Sequence, residues 1–73
     1  MSIVFGEDNG KKKYRAKQNK RKRNKDVILY QRVHTDSGDK WKQLAVLPVD
    51  EELSLGKLLR LCRNYLHETE VTP

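Results

Sequence analysis

The stretch VILYQRVHTDSGDKWKQLAVLPV, residues 27–49, decides the fold of this 73-residue chain. Its first part, residues 27–34, is rich in β-branched, aromatic and large apolar residues over a length that suits one strand. The cluster TDSGD, residues 35–39, consists of turn-forming residues, and Gly38 takes a positive φ without strain. The segment KWKQLAVLPV, residues 40–49, is typical of a returning strand. The sequence therefore predicts an antiparallel β-hairpin.

The two faces of the first predicted strand differ in polarity. The set that we expect to face the core comprises Val27, Leu29, Gln31 and Val33. The opposite set comprises Ile28, Tyr30, Arg32 and His34. In the second strand we expect residues 44–47 to be buried and Pro48 to end the strand, because proline cannot donate to a β-ladder.

An amphipathic helix is predicted after the hairpin. Ser54 is a suitable N-cap, and the acidic residues 50–52 lie near the positive end of the helix dipole. The apolar residues that recur with helical spacing are Leu55, Leu58, Leu59, Cys62, Tyr65 and Leu66. We therefore expect an α+β fold, in which a small antiparallel β-hairpin or three-stranded sheet packs on one C-terminal amphipathic helix.

A strongly basic segment, KKKYRAKQNKRKRNK, precedes the hairpin and places ten Lys or Arg in residues 11–25. Residues 26–73 hold six basic and eight acidic residues, so the net charge of +6 is a positive segment joined to a mildly acidic body. Because residues 17–25 contain no apolar side chain and like charges repel, we expect a flexible basic arm. The predicted organisation is an apolar tip and arm at 1–25, a core domain at 26–68 and a polar tail at 69–73.

The apolar tip SIVF, residues 2–5, has two interpretations. The Asn9-Gly10 pair is a strong turn signal, so the tip would return as a third strand along residues 12–16. Alternatively, it would dock on another protein as an added strand.

The position of Trp41 also has two interpretations. It lies in an exposed patch with Tyr30, Arg32, Lys40 and Lys42, or it packs at the rim of the sheet against the helix.

Composition and motifs argue against an enzyme. A chain of this length forms one small domain with little room for a catalytic cleft. It has no phosphate-binding loop, no nucleophile with a nearby base and no metal-ligand spacing, so we expect no cofactor and no metal. Cys62 lies in the apolar stripe and is expected to be a buried small side chain rather than a reactive thiol. No signal peptide or membrane span is evident, so we expect a cytoplasmic protein.

Binding therefore remains as the function, and the basic arm has three interpretations: contact with phosphates, contact with an acidic protein surface, or a solvated tail. The predicted electrostatic contacts are Lys11, Lys12, Lys13, Arg15, Lys20, Arg21, Lys22 and Arg23. The predicted contacts with a protein partner are Ile3, Val4, Phe5, Tyr14 and Trp41.

Taken as a whole, the chain resembles the small transcription regulators of Xanthomonas bacteriophages that bind host RNA polymerase. The likeness covers all 73 residues, and its main elements are MSIVFGEDNGKKKYR (1–15), the basic segment, and the ending LLRLCRNYLHETEVTP (58–73). It implies a phage-encoded protein that engages the β and β′ subunits of RNA polymerase in the bacterial host cell, and we expect the protein to be a monomer. Such a protein blocks initiation by displacing the σ factor and also promotes antitermination. The alternative is a nonspecific nucleic-acid-binding protein that uses its basic arm.

The order of basic segment, hairpin and helix is also similar to the single-strand-binding transcription coactivators of the positive-cofactor type. Too few strands are predicted after the basic segment, however, and the segment carries only Tyr14 for stacking.

Overall fold

A computed structural model describes residues 2–21 and 23–71, and of residues 70 and 71 it describes the backbone alone. Lys22, one of the predicted electrostatic contacts, lies outside the described residues, as do Met1 and residues 72–73.

Four antiparallel strands form one sheet in which neighbours in sequence are neighbours in space. The elements are β1 (Ser2–Asp8), β2 (Lys11–Gln18), β3 (Val27–Thr35), β4 (Gly38–Leu47) and the helix α1 (Leu55–Val71). The strand order is β1-β2-β3-β4, so β1 and β4 are the edges. The predicted α+β fold is confirmed, with four strands where we expected two or three.

The first half of the basic segment is an interior strand of the sheet, and the prediction of a flexible arm is wrong for Lys11–Gln18. This strand pairs with β1 on one side and with β3 on the other. Tyr14, Ala16 and Gln18 are buried, whereas the charged residues between them point away from the core. Side chains alternate across a strand, so one face of β2 is buried while the other carries its charge. The expected boundary at residue 25 therefore does not divide the fold.

The Asn9-Gly10 pair makes the turn between β1 and β2. Both residues have positive φ, 55° at Asn9 and 78° at Gly10, as a type I′ hairpin turn requires. The tip is therefore a strand of this sheet, as the first of its two interpretations predicted. Phe5 lies opposite Tyr14 and is 8% exposed, which joins the tip to the core.

The core lies between one face of the sheet and α1. Its buried members are Phe5, Tyr14, Ala16, Val27, Leu29, Leu53, Leu58 and Cys62. The predicted cap at Ser54 is confirmed, because its Oγ accepts from the Lys57 backbone N–H at 3.3 Å and its carbonyl from that of Leu58 at 2.9 Å. The helix continues to Val71, so the tail predicted from residue 69 is wrong for residues 69–71. Helical hydrogen bonding continues through polar residues there, and Thr69 Oγ1 also donates back to the preceding turn.

The strand β4 is more exposed than the sequence indicates. Leu44 is 40% exposed and Val46 is 47% exposed, so the prediction that residues 44–47 are all buried is wrong. β4 is an edge strand, and its residues Ala45 and Leu47, which alternate with the exposed pair, are the half-buried ones. The register shifts from Leu29 opposite Ala45 to Tyr30 opposite Gln43, which leaves Leu44 as an extra residue in a β-bulge.

A close backbone approach at Gly6 predicts a large effect of a small substitution. Gly6 has a φ of 72°, and an added Cβ would lie 3.0 Å from Cδ2 of the buried Tyr14 ring. We expect Gly6→Ala to lower the free energy of unfolding by about 2 kcal/mol, measured by urea denaturation. Gly56, which is helical with open space around it, is the matched control, and Gly56→Ala should raise that free energy by up to about 1 kcal/mol. Equal effects at the two glycines would contradict the strain at Gly6.

Candidate functional site: an aromatic and cationic sheet face

The side of the sheet opposite α1 is uncovered and carries two shallow depressions of about 240 and 260 Å³. We call this side the open face, and its principal residues are Val4, Arg15, Lys17, Tyr30 and Trp41. Arg15 and Lys17 reach it because they alternate along β2 with the buried Ala16 and Gln18. Tyr30 and Arg15 are direct cross-strand partners, as are Val4 and Arg15.

Trp41 lies across the open face. Its side chain is 38% exposed and lines one depression with Val4 and Arg15 and the other with Lys17 and Tyr30. The exposed-patch interpretation of Trp41 is therefore the one that the structure supports. The predicted patch included Tyr30 correctly but missed Arg15, Lys17 and Val4, because the register that brings β1 and β2 beside β3 is not visible in a local pattern.

A cluster around Asp39 binds the side chains of Lys11, Arg32 and His34 near the two hairpin turns. The carboxylate of Asp39 accepts from Lys11 Nζ at 3.2 Å, from Arg32 Nη1 at 3.0 Å and lies 3.0 Å from His34 Nδ1. Arg32 also donates to the backbone carbonyls of Lys12 and Asp8. This Asp39 cluster joins the two hairpin turns, and its single carboxylate offsets part of the charge of Lys11 and Arg32.

The Asp39 cluster predicts a pH dependence of stability. The hydrogen bond with His34, the hydrogen bond from Lys11 and the charges of Lys11 and Arg32 lower the pKa of Asp39 from 3.8 to about 2. An acid whose pKa is lower in the folded state stabilises that state above its unfolded pKa, and this contribution disappears as the pH falls through the folded pKa. We therefore expect the free energy of unfolding to fall between about pH 4 and pH 2, and the Asp39→Asn variant to lose this part of the slope.

Urea denaturation at a series of pH values measures this slope, and NMR titration of the Asp39 carboxyl measures its pKa directly. Asp36 is the control, since this exposed residue of the same turn makes no ion pair among the described residues. Asp36→Asn should keep the slope. A slope retained in Asp39→Asn would show that other carboxyls cause it.

The remaining lysines near the first turn have local partners. Lys12 Nζ lies 3.9 Å from a Glu7 carboxylate oxygen, and Lys13 Nζ lies 5.3 Å from the centre of the Tyr14 ring. By contrast, Arg15 and Lys17 make no ion pair with any described residue. The cationic charge of β2 is therefore least neutralised at Arg15 and Lys17.

The connection between β2 and β3 adds exposed cations next to Lys17. This basic turn, residues 19–26, is closed by a hydrogen bond from the Asn19 backbone N–H to the Asp26 carbonyl at 3.0 Å. Three of the residues predicted to make electrostatic contacts, Lys20, Arg21 and Arg23, are exposed on it. It continues the positive charge of the open face past the end of β2.

The residues predicted to contact a protein partner fall into two groups. Phe5 and Tyr14 are buried, with ring centres 5.4 Å apart in a stacked pair, and Ile3 packs against the same core. The buried rings of Phe5 and Tyr14 stabilise the fold and are not exposed to a partner, whereas Ile3 is partly buried and also lines one depression of the open face. Val4 and Trp41 are exposed, 50% and 38%, and both belong to the open face.

A second concave surface lies on the helix side of the molecule. This helix groove has a volume of about 330 Å³ and runs between the β4–α1 connection and α1. Its apolar lining comes from Pro48, Val49, Leu53 and Leu61. Its charged lining comes from Asp50 and Glu51 on the connection and from Lys57 and Arg60 on the helix.

Cys62 is buried in the core, as predicted, and we expect it to be inert in the folded protein. It has no exposed surface, and desolvation raises the pKa of its thiol to about 11. Because the thiolate is the reactive form, a thiol reagent should modify Cys62 only when the protein opens. We expect the modification rate at pH 8 to rise at least about a hundredfold in denaturing urea. Fast modification without denaturant would contradict the burial.

Among residues 2–21 and 23–71, no three His, Cys, Asp or Glu side chains are grouped closely enough to hold a metal ion. In the same ranges, no helix has the length and apolar character needed to cross a membrane.

The chain matches no protein-family model, and comparison with curated proteins and with solved structures finds no significant match.

Proposed function

We propose that this protein is a phage-encoded, non-enzymatic regulator that binds bacterial RNA polymerase in the cytoplasm of the host cell. The likeness of the chain to the small phage regulators supports the identity of the partner. Engagement of the β and β′ subunits by a monomer would displace σ, inhibit initiation and promote antitermination. The observation that carries the proposal is the helix groove, a concave surface of mixed polarity. It lies on a chain whose small core contains a free cysteine and no disulfide.

The lining of the helix groove suits a protein rather than a nucleic acid. Interfaces between proteins have an apolar centre and a polar rim, and Leu53 and Leu61 supply apolar surface between charged neighbours. Asp50 and Glu51 would repel phosphates, but they pair readily with basic side chains of a protein. The cations Lys57 and Arg60 fit acidic side chains on the same partner.

Retention of RNA polymerase from a nuclease-treated bacterial lysate tests the proposal. The tagged protein should retain the β and β′ subunits, and σ should be released when it is added to purified holoenzyme. The charge-reversal variant Lys57→Glu/Arg60→Glu should weaken retention at least about tenfold, because it makes the whole rim acidic. Arg63→Glu is the matched control, since Arg63 is exposed on α1 outside the groove lining, and it should retain polymerase normally.

Two results would contradict the proposal in different ways. Absence of polymerase subunits from the retained fraction would remove the partner. Normal retention of polymerase by Lys57→Glu/Arg60→Glu would mean that polymerase is the partner but that the helix groove does not contact it.

A further inference from the structure

We propose that the open face binds single-stranded nucleic acid, with Tyr30 and Trp41 stacking on bases and Arg15 and Lys17 pairing with phosphates. This site goes beyond the polymerase contact and lies on the opposite side of the sheet from the helix groove. It would allow the protein to hold a strand of RNA or DNA while bound to another protein.

The charge of the open face selects an anionic ligand. None of the residues that line its two depressions is acidic, although ten acids occur in the chain. Arg15 and Lys17 make no ion pair among the described residues, whereas Lys11 and Arg32 are held by Asp39. These two free cations, extended by the basic turn, are complementary to a chain of phosphates.

The aromatic residues of the open face distinguish nucleic acid from a simple polyanion. Trp41 is 38% exposed and lines both depressions, and Tyr30 lies directly opposite Arg15 in the sheet. Bases stack on exposed aromatic rings without regard to sequence, and a sheet that presents such rings beside cations is a recurrent way to bind single strands. The basic segment alone carries just one aromatic residue, Tyr14, which is in the core, so this combination arises only in the folded sheet.

The shape of the open face favours a single strand over a duplex. Its depressions are shallow, and within the described residues no helix lies on this side of the sheet to enter a groove of duplex DNA. In a duplex the bases are already stacked on one another and cannot stack on Tyr30 or Trp41. Arg15 and Lys17 are two residues apart on β2, which spaces them about 7 Å along the strand. An extended single strand can present successive phosphates to such a pair.

Trp41 is the only tryptophan, so its fluorescence reports directly on the proposed site. The full-length protein would be titrated with oligouridylate and with oligodeoxythymidylate of about 15 nucleotides, a length that covers one site of this kind. We expect saturable quenching by at least one of the two, and the stronger ligand identifies RNA or DNA as the source. A duplex of the same length should give no saturable quenching.

Variants separate this site from general electrostatic attraction. Arg15→Gln/Lys17→Gln should weaken binding about tenfold or more at 0.1 M salt, and should reduce the slope of log affinity against log salt by about 1.4, or about 0.7 per lost phosphate contact. Trp41→Ala should weaken binding of a labelled oligonucleotide about tenfold, and Trp41→Phe should restore it. Lys57→Gln/Arg60→Gln removes the same charge from the helix groove and should leave affinity unchanged. Circular dichroism would confirm that each variant is folded.

The inference is overturned if neither single strand quenches Trp41, or if the duplex quenches it equally. Unchanged oligonucleotide affinity in Arg15→Gln/Lys17→Gln would also overturn it. If that variant binds oligonucleotide normally but no longer retains polymerase, the open face is a protein contact instead. Loss of oligonucleotide binding with normal retention of polymerase in the nuclease-treated lysate would support the inference independently of the proposed function.

Discussion

Replacing Leu58 by alanine is expected to lower the free energy of unfolding by about 3 kcal/mol. Leu58 has no exposed surface and belongs to the buried cluster that joins α1 to the sheet. Truncation removes buried apolar surface and leaves a cavity, and such changes cost about 2–5 kcal/mol in well-packed cores. A domain of this size has a small free energy of unfolding. We therefore expect a large fraction of Leu58→Ala molecules to be unfolded at 37 °C.

Leu55 provides the control for Leu58, because it is one turn away on the same helix but 53% exposed. Leu55→Ala removes the same atoms and should change the free energy of unfolding by no more than about 0.5 kcal/mol. Urea denaturation followed by Trp41 fluorescence measures both variants. Similar losses at the two positions would show that helix propensity, rather than packing, determines the effect of Leu58.

Replacing Gln18 by methionine is expected to cost about 3 kcal/mol, although methionine has nearly the same volume. Gln18 is 2% exposed, and its Nε2 donates to the Lys25 carbonyl at 3.0 Å and to the Glu51 carbonyl at 2.8 Å. Its Oε1 accepts from the Leu53 backbone N–H at 2.9 Å. Methionine would leave three backbone groups without this partner, and each unsatisfied buried group costs about 1–3 kcal/mol.

Gln43→Met is the matched control, since Gln43 is exposed on β4. It should change the free energy of unfolding by at most about 0.5 kcal/mol. A loss below about 1 kcal/mol for Gln18→Met would mean that water replaces the amide. In that case the link between the basic turn and the β4–α1 connection would not depend on Gln18.

The hairpin of β3 and β4 and the helix α1 could be predicted because their signals are local. β3 is rich in β-branched and aromatic residues and is followed by a turn that contains Gly38, and the apolar stripe of α1 follows helical spacing after the cap at Ser54. The existence of these elements is therefore predicted without knowledge of their neighbours, although the buried residues of β4 are not.

The sequence predicted β2 only in part, as a return along residues 12–16 in one of two interpretations, because the residues on its buried face are not uniformly apolar. Ala16 is small and Gln18 is polar, so the alternation begun at Tyr14 disappears among lysines and arginines. Gln18 can be buried only because backbone groups of two distant connections satisfy its amide, and such pairing is invisible in the sequence. The Asn9-Gly10 turn was the one local signal for this strand.

The open face could not be predicted from the sequence, although Val4, Arg15, Tyr30 and Trp41 each belong to a predicted contact or patch. Arg15 was assigned to a flexible arm and Trp41 to the outer side of a separate hairpin. They lie together because β2 pairs with β3, with Arg15 opposite Tyr30, and this register is a long-range property. Phe5 and Tyr14 were predicted to contact a partner for the same reason, because the core that buries them is formed by residues distant in sequence.

The packing of α1 on the first strands has a consequence for synthesis on the ribosome. All four strands leave the ribosome before α1. Phe5 and Tyr14, however, lie on the side of the sheet that α1 covers. A nascent chain that ends before residue 58 therefore has a complete set of strands but lacks Leu58 and Cys62 to close its core. Such a chain exposes apolar surface while it waits, which makes it a substrate for chaperones and proteases. Synthesis that stalls before Leu58 would thus yield protein that is removed rather than a partly active product.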